Sequence, residues 1–160
     1  MKRSKHNLSH THNLTANMGL LVPCMVQEVL PGDTFNHKTR MLIRTQPLTA
    51  PVMHPVFVRV HHWFVPSRII WDGWEDFITG QAEVDQLPFL RFSGLTVNRG
   101  SLFDYMGVPC GTNFTADLNA LPFRAYNLIF NEWYRDEQII DELTVNKGSG
   151  QETTQFTLQQ

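Results

Sequence analysis

The sequence has few cysteines, little charge and no long apolar run, and each shortage excludes a class of protein. Two cysteines in 160 residues are too few for a disulfide-dense secreted scaffold, so we predict that Cys24 and Cys110 are buried free thiols. No apolar run approaches the roughly 18–20 residues of a membrane span, and no apolar segment of the signal-peptide kind follows the polar start. The sequence therefore predicts a soluble protein made inside the cell, with no membrane partner.

Motifs for catalysis and metal binding are also missing. The sequence contains no Gly-x-Ser-x-Gly elbow, no phosphate-binding glycine loop and no short cysteine pair. His61 and His62 are adjacent, so in a strand they point to opposite faces and do not share one ion. The Asp136-Glu137 pair is typical of a solvated helix face. We therefore predict no enzyme, no cofactor and no metal site.

Aromatic residues are plentiful, and charge is unevenly distributed. Eleven Phe, four Trp and three Tyr accompany 18% charged residues, against about 25% in an average soluble domain. Residues 1–68 hold eight Lys or Arg and two acids, a net charge of +6. Residues 69–160 hold five Lys or Arg and thirteen acids, a net charge of −8. This polarity favours self-association or binding of a polyanion by the first half, although two solvated faces of one domain fit it equally well.

The first half has the pattern of strands behind a polar arm. Residues 1–18 are basic and aperiodic, which predicts an arm that orders only on a partner. Residues 19–30 and 39–45 predict two strands, with a turn at Pro31-Gly32-Asp33. Residues 56–65 alternate most clearly and predict a third strand.

The second half changes to a helical period. Asp72 and Ser101 are predicted to cap two short helices that stop at Gly80 and Gly107. A long helix is predicted over residues 122–140, because a proline suits its first turn and apolar residues recur three or four apart. Strands followed by helices indicate an α+β or helix-decorated β architecture.

The long helix carries an aromatic stripe, and the arm carries three cations. On the helix, Phe123, Tyr126, Phe130 and Trp133 are predicted to face inward, and Arg124, Asn127 and Tyr134 elsewhere. The helix either docks within its own subunit or forms an interface, and the spacing fits both. In the arm, Lys2, Arg3 and Lys5 can neutralise phosphates without reading sequence, the alternative being a merely solvated tail.

Three segments together resemble a known protein family. They are LVPCMVQEVLPGDTF at residues 21–35, VHHWFVPSRIIWDGWEDF at residues 60–77 and LPFRAYNLIFNEWYRDEQ at residues 121–138. In this order and spacing they resemble the major capsid protein of the Microviridae, and most of all its gokushovirus branch. Neither a lectin-like β-sandwich binding module nor a histidine-dependent metalloenzyme, the two alternative classes, accounts for all three.

The resemblance implies a mainly β fold with helical insertions, the eight-stranded jelly-roll β-sandwich of viral capsids, only partly covered by this chain. It implies a T=1 icosahedral capsid of bacteriophage type, built from copies of the protein in the host cytoplasm around circular single-stranded DNA. Its further implied partners are an internal scaffolding protein, a DNA-pilot protein and a small DNA-binding protein. Because family members run to several hundred residues, the resemblance implies either that this chain is the N-terminal portion of a longer protein or that the protein is a shortened relative.

On this basis the chain divides into four predicted parts. They are a basic arm at residues 1–18, first jelly-roll strands at 19–66, a helix-containing insertion at 67–145 and a polar loop at 146–160 that leads to the remainder. The predicted structural and interface residues are Trp71, Trp74, Phe123, Arg124, Tyr126, Asn127, Trp133, Tyr134 and Arg135.

Overall fold

The computed structural model describes residues 4–81 and 87–160. Its elements are α1 (Ser67–Ile70), α2 (Trp74–Thr79), β1 (Phe89–Thr96), α3 (Leu102–Tyr105), β2 (Asn113–Asn119) and α4 (Leu121–Trp133). Contacts within the chain define two units. The main unit comprises the described residues of 1–26 and 65–160 and holds every one of these elements, and residues 27–64 form the second unit.

Strands β1 and β2 form a two-stranded antiparallel sheet, with Phe89 opposite Asn119 at one end. The register shifts at Gly94, whose φ of +62° suits a residue without a Cβ and makes a bulge. Arg91 and Asp117 face each other across the strands, and the guanidinium donates two hydrogen bonds of 2.9 Å to the carboxylate. Both strands lie in the segment that was predicted as a helix-containing insertion.

The core lies between this sheet, α3 and α4. Its buried members are Leu90, Phe92, Val97, Leu102, Val108, Ala120, Phe123, Tyr126 and Phe156. Phe103 lies between two of them, its ring centroid 5.4 Å from Phe92 and 5.1 Å from Phe123. The Phe156 ring lies 5.6 Å from Phe123 on the other side, so aromatic packing joins the C-terminal segment to α4.

The caps of the short helices follow the sequence prediction in three of four places. The Ser101 hydroxyl accepts a hydrogen bond from the Asp104 N–H and caps α3, and Gly107 follows that helix with a φ of +90°. Gly80 ends α2 in the left-handed conformation. The prediction of Asp72 as a cap was wrong, because Gly73 holds the N-cap position and no side chain caps α2.

Helix α4 starts where predicted and ends about two turns earlier. Its last residue is Trp133, and the Arg135 N–H closes the end by donating to the Phe130 carbonyl. Asp136 then starts a turn in which its carboxylate accepts the Gln138 N–H. Aspartate competes in this way with helical hydrogen bonding, which accounts for the early stop.

The predicted strands over residues 19–30, 39–45 and 56–65 are not strands in the described structure, and every residue of the 27–64 unit is exposed. A strand forms only when a neighbour pairs with its N–H and C=O groups. The predicted turn is present, since the Asp33 N–H donates to the Leu30 carbonyl and Gly32 has a φ of +85°.

The described residues thus contain a two-stranded sheet rather than a complete jelly-roll. Both cysteines are free, as predicted, but Cys24 is exposed and Cys110 only partly buried. The prediction of buried thiols was wrong at Cys24, because that residue lies where the chain runs out of the core into an exposed segment.

Candidate structural site around the long helix

Arg124 lies on α4 with its guanidinium buried, 1% exposed. It donates to Glu152 Oε2 at 2.6 Å, to the Ile70 carbonyl at 3.1 Å and to the Gly148 carbonyl at 2.9 Å. The three bonds leave through different nitrogens, which the planar fork of arginine allows. One side chain therefore joins α4 to α1 and to two parts of the C-terminal segment, although the sequence pattern had placed it away from the core.

Glu152 pairs with Arg124 through Oε2, and its other carboxylate oxygen, Oε1, is also hydrogen-bonded. Oε1 accepts hydrogen bonds from the backbone N–H groups of Thr153 and Thr154, from the Thr154 hydroxyl and from the Asn146 amide. Burial acts to raise the pKa of this carboxyl, but the bonds from Thr154, Arg124 and Asn146 outweigh it and lower the pKa to about 2. The Glu152 carboxyl is therefore ionised at neutral pH.

Two asparagines on α4 hold the next segment through its backbone. Asn131 donates to the Leu143 carbonyl at 2.8 Å and accepts the Leu143 N–H at 3.0 Å. Asn127 donates to the Thr144 carbonyl at 3.2 Å, and its Oδ1 is buried with no hydrogen-bond partner among the described residues. Asn127 is thus buried against a backbone segment, where the sequence pattern had predicted an outward-facing side chain.

Tyr126 connects the segments around Leu21 and Gln159 to α4. Its hydroxyl donates to the Leu21 carbonyl and accepts the Gln159 N–H, each at 2.9 Å, and the Leu21 N–H donates to the Gln159 carbonyl. Burial raises the pKa of this phenol, and the Gln159 bond opposes that rise. The segment around Leu21 is therefore fixed by main-chain contacts even though it forms no strand.

Trp71 and Trp74 lie at the start of the helical region, as the sequence placed them. The Trp71 ring is wholly buried, its indole N–H donates to Ser149 Oγ at 2.9 Å, and the Asp72 N–H donates to the Lys147 carbonyl. Trp74 is half-buried with its ring centroid 6.1 Å from that of Trp71. Together with Arg124, these contacts fix residues 147–149 against α1.

The remaining predicted residues lie at the end of α4 and in the arm. Trp133 is 66% exposed, so its predicted burial was wrong, and Tyr134 is half-buried. Arg135 donates to the Ile140 carbonyl at 3.2 Å, which steadies the turn after the helix. In the arm Lys5 is exposed, whereas Lys2 and Arg3 lie outside the described residues.

The structure adds four site residues that sequence reasoning missed: Asn131, Asn146, Glu152 and Thr154. Three of them fall in the segment predicted as a polar loop. The signal there was Glu152, the only charged residue in the run of Gly, Ser, Thr and Gln at residues 148–155. An isolated charge within such a run is consistent with a buried partner elsewhere, and Arg124 is that partner.

The described residues contain no group of three or more His, Cys, Asp or Glu that could hold a metal ion. Within the same residues, no helix has the length and apolar character needed to cross a membrane.

The polar anchors of α4 all serve to hold chain segments together, and comparison with known proteins agrees with a structural role. Residues 1–159 match the model of a family described as capsid protein (F protein), and the chain belongs to this family of phage capsid proteins. The resemblance inferred from the three sequence segments is thereby confirmed.

Individual relatives are similar over almost the whole chain. Capsid protein VP1 of Bdellovibrio phage phiMH2K is 37% identical and that of Chlamydia phage 1 is 38% identical, each over 92% of this chain. Capsid protein VP1 of Spiroplasma virus 4 is 26% identical over 93% of it. The chain spans 26–28% of the length of these relatives.

Proposed function

We propose that this chain acts as a structural, non-enzymatic capsid protein whose copies assemble into a small icosahedral shell around a circular single-stranded DNA genome. The family match over residues 1–159 carries the proposal. Repeated burial between copies is the physical basis of such a function: contacts of about 1,600 Å² each become a stable shell once the symmetry closes.

The exposed apolar side chains of the 27–64 unit support this proposal. Leu42, Met53 and Phe57 are each more than four-fifths exposed, and many other large apolar residues of the unit are exposed with them. Contiguous exposed apolar surface is typical of sites that bind another protein surface. In the proposed shell, these residues pair with further strands to complete an eight-stranded jelly-roll.

The family also suggests the setting of this function. The protein acts in the virion and assembles in the host cytoplasm, with an internal scaffolding protein, a DNA-pilot protein and a small DNA-binding protein as partners. The basic arm is the segment we propose to contact DNA, because Lys2, Arg3 and Lys5 place three cations at one end of the chain.

Sedimentation velocity of the protein from its native source, read at 260 and 280 nm, tests the proposal. We expect one very large species with strong absorbance at 260 nm, which electron microscopy resolves as uniform spherical particles. A species of a few tens of kilodaltons without nucleic acid would overturn the capsid function and favour a β-sandwich binding module.

A further inference from the structure

Two tyrosines of the main unit hold the basic arm where it joins the core. The Tyr105 hydroxyl, at the end of α3, donates to the Thr15 carbonyl at 2.6 Å. The Tyr126 hydroxyl, on α4, donates to the Leu21 carbonyl at 2.9 Å. Residues 15–21, which we call the arm root, are therefore fixed at both ends.

A turn separates the two contacts of the arm root. It consists of Met18 and Gly19, and the φ of +85° at Gly19 suits a residue without a Cβ. After the turn, residues 20–23 are half-buried, whereas Thr15 lies in the exposed segment before it. The Tyr105 hydrogen bond therefore adds a fixed point to a segment that burial does not hold in place.

The fixed point at Thr15 limits how far the arm reaches. Before it, residues 4–14 are exposed, and the hydrogen bonds that involve their side chains join groups two residues apart in the described structure. A chain spans at most about 3.3–3.6 Å per residue, so the 14 residues before Thr15 reach roughly 46–50 Å from it. With Leu21 as the first fixed point, 20 residues would reach roughly 66–72 Å.

We propose that Tyr105 is a positioning residue for nucleic-acid binding by the arm, because it holds Thr15 and so confines the arm's cations to the region around α3. The inference rests on the proposed contact between the arm and DNA. Cations that neutralise phosphates do not read sequence, so the place where the arm is fixed decides which part of the nucleic acid it binds. The effective concentration of a tethered group falls as its tether lengthens, so a short arm also binds more strongly there.

Backbone ¹⁵N relaxation of the unassembled protein tests whether Tyr105 fixes the arm. Tyr105→Phe keeps the ring and removes only the hydroxyl, whereas the control Thr96→Val removes an exposed hydrogen bond to Asn113 in the sheet. We expect fast motion to end at about Thr15 in the unaltered protein and in the control, and to extend to about residue 20 in Tyr105→Phe. Equal order of residues 15–18 in all three proteins would overturn the role of Tyr105.

Release of DNA from particles by salt tests the consequence for binding. Insertion of six Gly and Ser residues after Leu14 lengthens the arm to the same 20 residues while it keeps the Tyr105 hydroxyl and every charge. The −3/2 power of tether length predicts about 1.7-fold weaker local binding, and this loss recurs in every copy. We therefore expect Tyr105→Phe and the insertion to shift half-release of DNA to the same lower salt concentration. Release at the salt concentration of the unaltered particles would overturn positioning by Tyr105.

Binding of a single-stranded oligonucleotide to the unassembled protein separates this inference from the proposed function. A free oligonucleotide comes to the arm wherever the arm is fixed, so we expect Tyr105→Phe to bind it as the unaltered protein does and removal of residues 2–12 to weaken binding. Weaker binding by Tyr105→Phe would overturn a positioning role. Equal binding after removal of residues 2–12 would overturn the contact between the arm and DNA, and with it the role of Tyr105.

Discussion

Arg124 and Glu152 depend on each other because their side chains are 1% and 0% exposed. Taking two charges out of water is costly, and such a pair persists when its remaining donors and acceptors are also used. Here the guanidinium bonds two carbonyls as well, and Glu152 Oε1 accepts four further hydrogen bonds. The stability of the site therefore depends on a hydrogen-bond partner for each polar atom of the two side chains, and not on the attraction between their charges alone.

Replacement of one partner leaves the other charge buried and alone. We expect Glu152→Gln, which keeps the size of the side chain, to lower the free energy of unfolding by about 3–5 kcal/mol, measured by urea denaturation. Asp117→Asn is the matched control, because it breaks the exposed pair with Arg91, whose charges stay in water, and we expect it to change little. Equal stability of the two variants would contradict the role given to Glu152.

The same carboxylate makes stability depend on pH. Its pKa is about 2 in the folded protein against an ordinary value of 4.5, so the unfolded chain takes up a proton first as the pH falls. The contribution of Glu152 is therefore fully present above about pH 4.5 and is lost as the pH falls toward 2. We expect the stability gap between the unaltered protein and Glu152→Gln to narrow over this range in urea titrations, and a gap that stays constant would contradict the pKa.

At the scale of elements, the sequence predicted local signals well and long-range contacts poorly. The cap at Ser101, the stop at Gly80 and the turn at Gly32 depend on residues within one or two turns of the chain, and all three are present. The burial of Arg124 depends on a carboxylate 28 residues away, which no helical periodicity shows. Its partner lies in a segment without regular structure, where pattern analysis finds no element to place.

The two strands and the end of α4 were missed for similar reasons. The Gly94 bulge in β1 interrupts a simple apolar alternation, and β2 carries polar Asn, Thr and Asp residues that suggest a loop. The apolar spacing continues past Trp133, but the Asp136 turn ends the helix. The three strands predicted earlier in the chain are not strands in the described structure, because strand pairing depends on residues that sequence periodicity does not identify.

Two aromatic residues on α4 provide a test of this element. The sequence pattern predicts that Trp133→Ala costs about 3–5 kcal/mol if the ring is buried, but the ring is 66% exposed, so we expect a loss of less than about 1 kcal/mol. Phe130 lies one turn earlier with its ring buried, and we expect Phe130→Ala to cost about 3–5 kcal/mol. Thermal or urea unfolding of the two variants measures both, and a larger loss for Trp133→Ala would contradict the described orientation of the helix.

At the scale of the whole molecule, the proposed function depends on charge distributed along the chain. The described part of the arm, residues 4–18, is exposed, and the Tyr105 hydroxyl donates to the Thr15 carbonyl near its end. Counter-ion release makes binding of such an arm to nucleic acid sensitive to salt.

Removal of residues 2–12 tests the arm. We expect particles of this variant to form in near-normal yield but to retain less DNA, measured as a lower ratio of absorbance at 260 to 280 nm and a greater loss of DNA in high salt. A variant with residues 2–12 replaced by Gly and Ser of equal length separates the loss of charge from the loss of length. Full DNA content in both variants would contradict DNA contact by the arm.

Most polar anchors of α4 bind main-chain atoms rather than side chains. Arg124, Asn127, Asn131 and Tyr126 reach carbonyls of Ile70, Gly148, Thr144, Leu143 and Leu21. Every residue type supplies the same backbone carbonyl, so only the α4 side chain in each contact has to be a particular residue type. Over generations the residues that offer these carbonyls can therefore change type while the helix keeps the same hydrogen bonds.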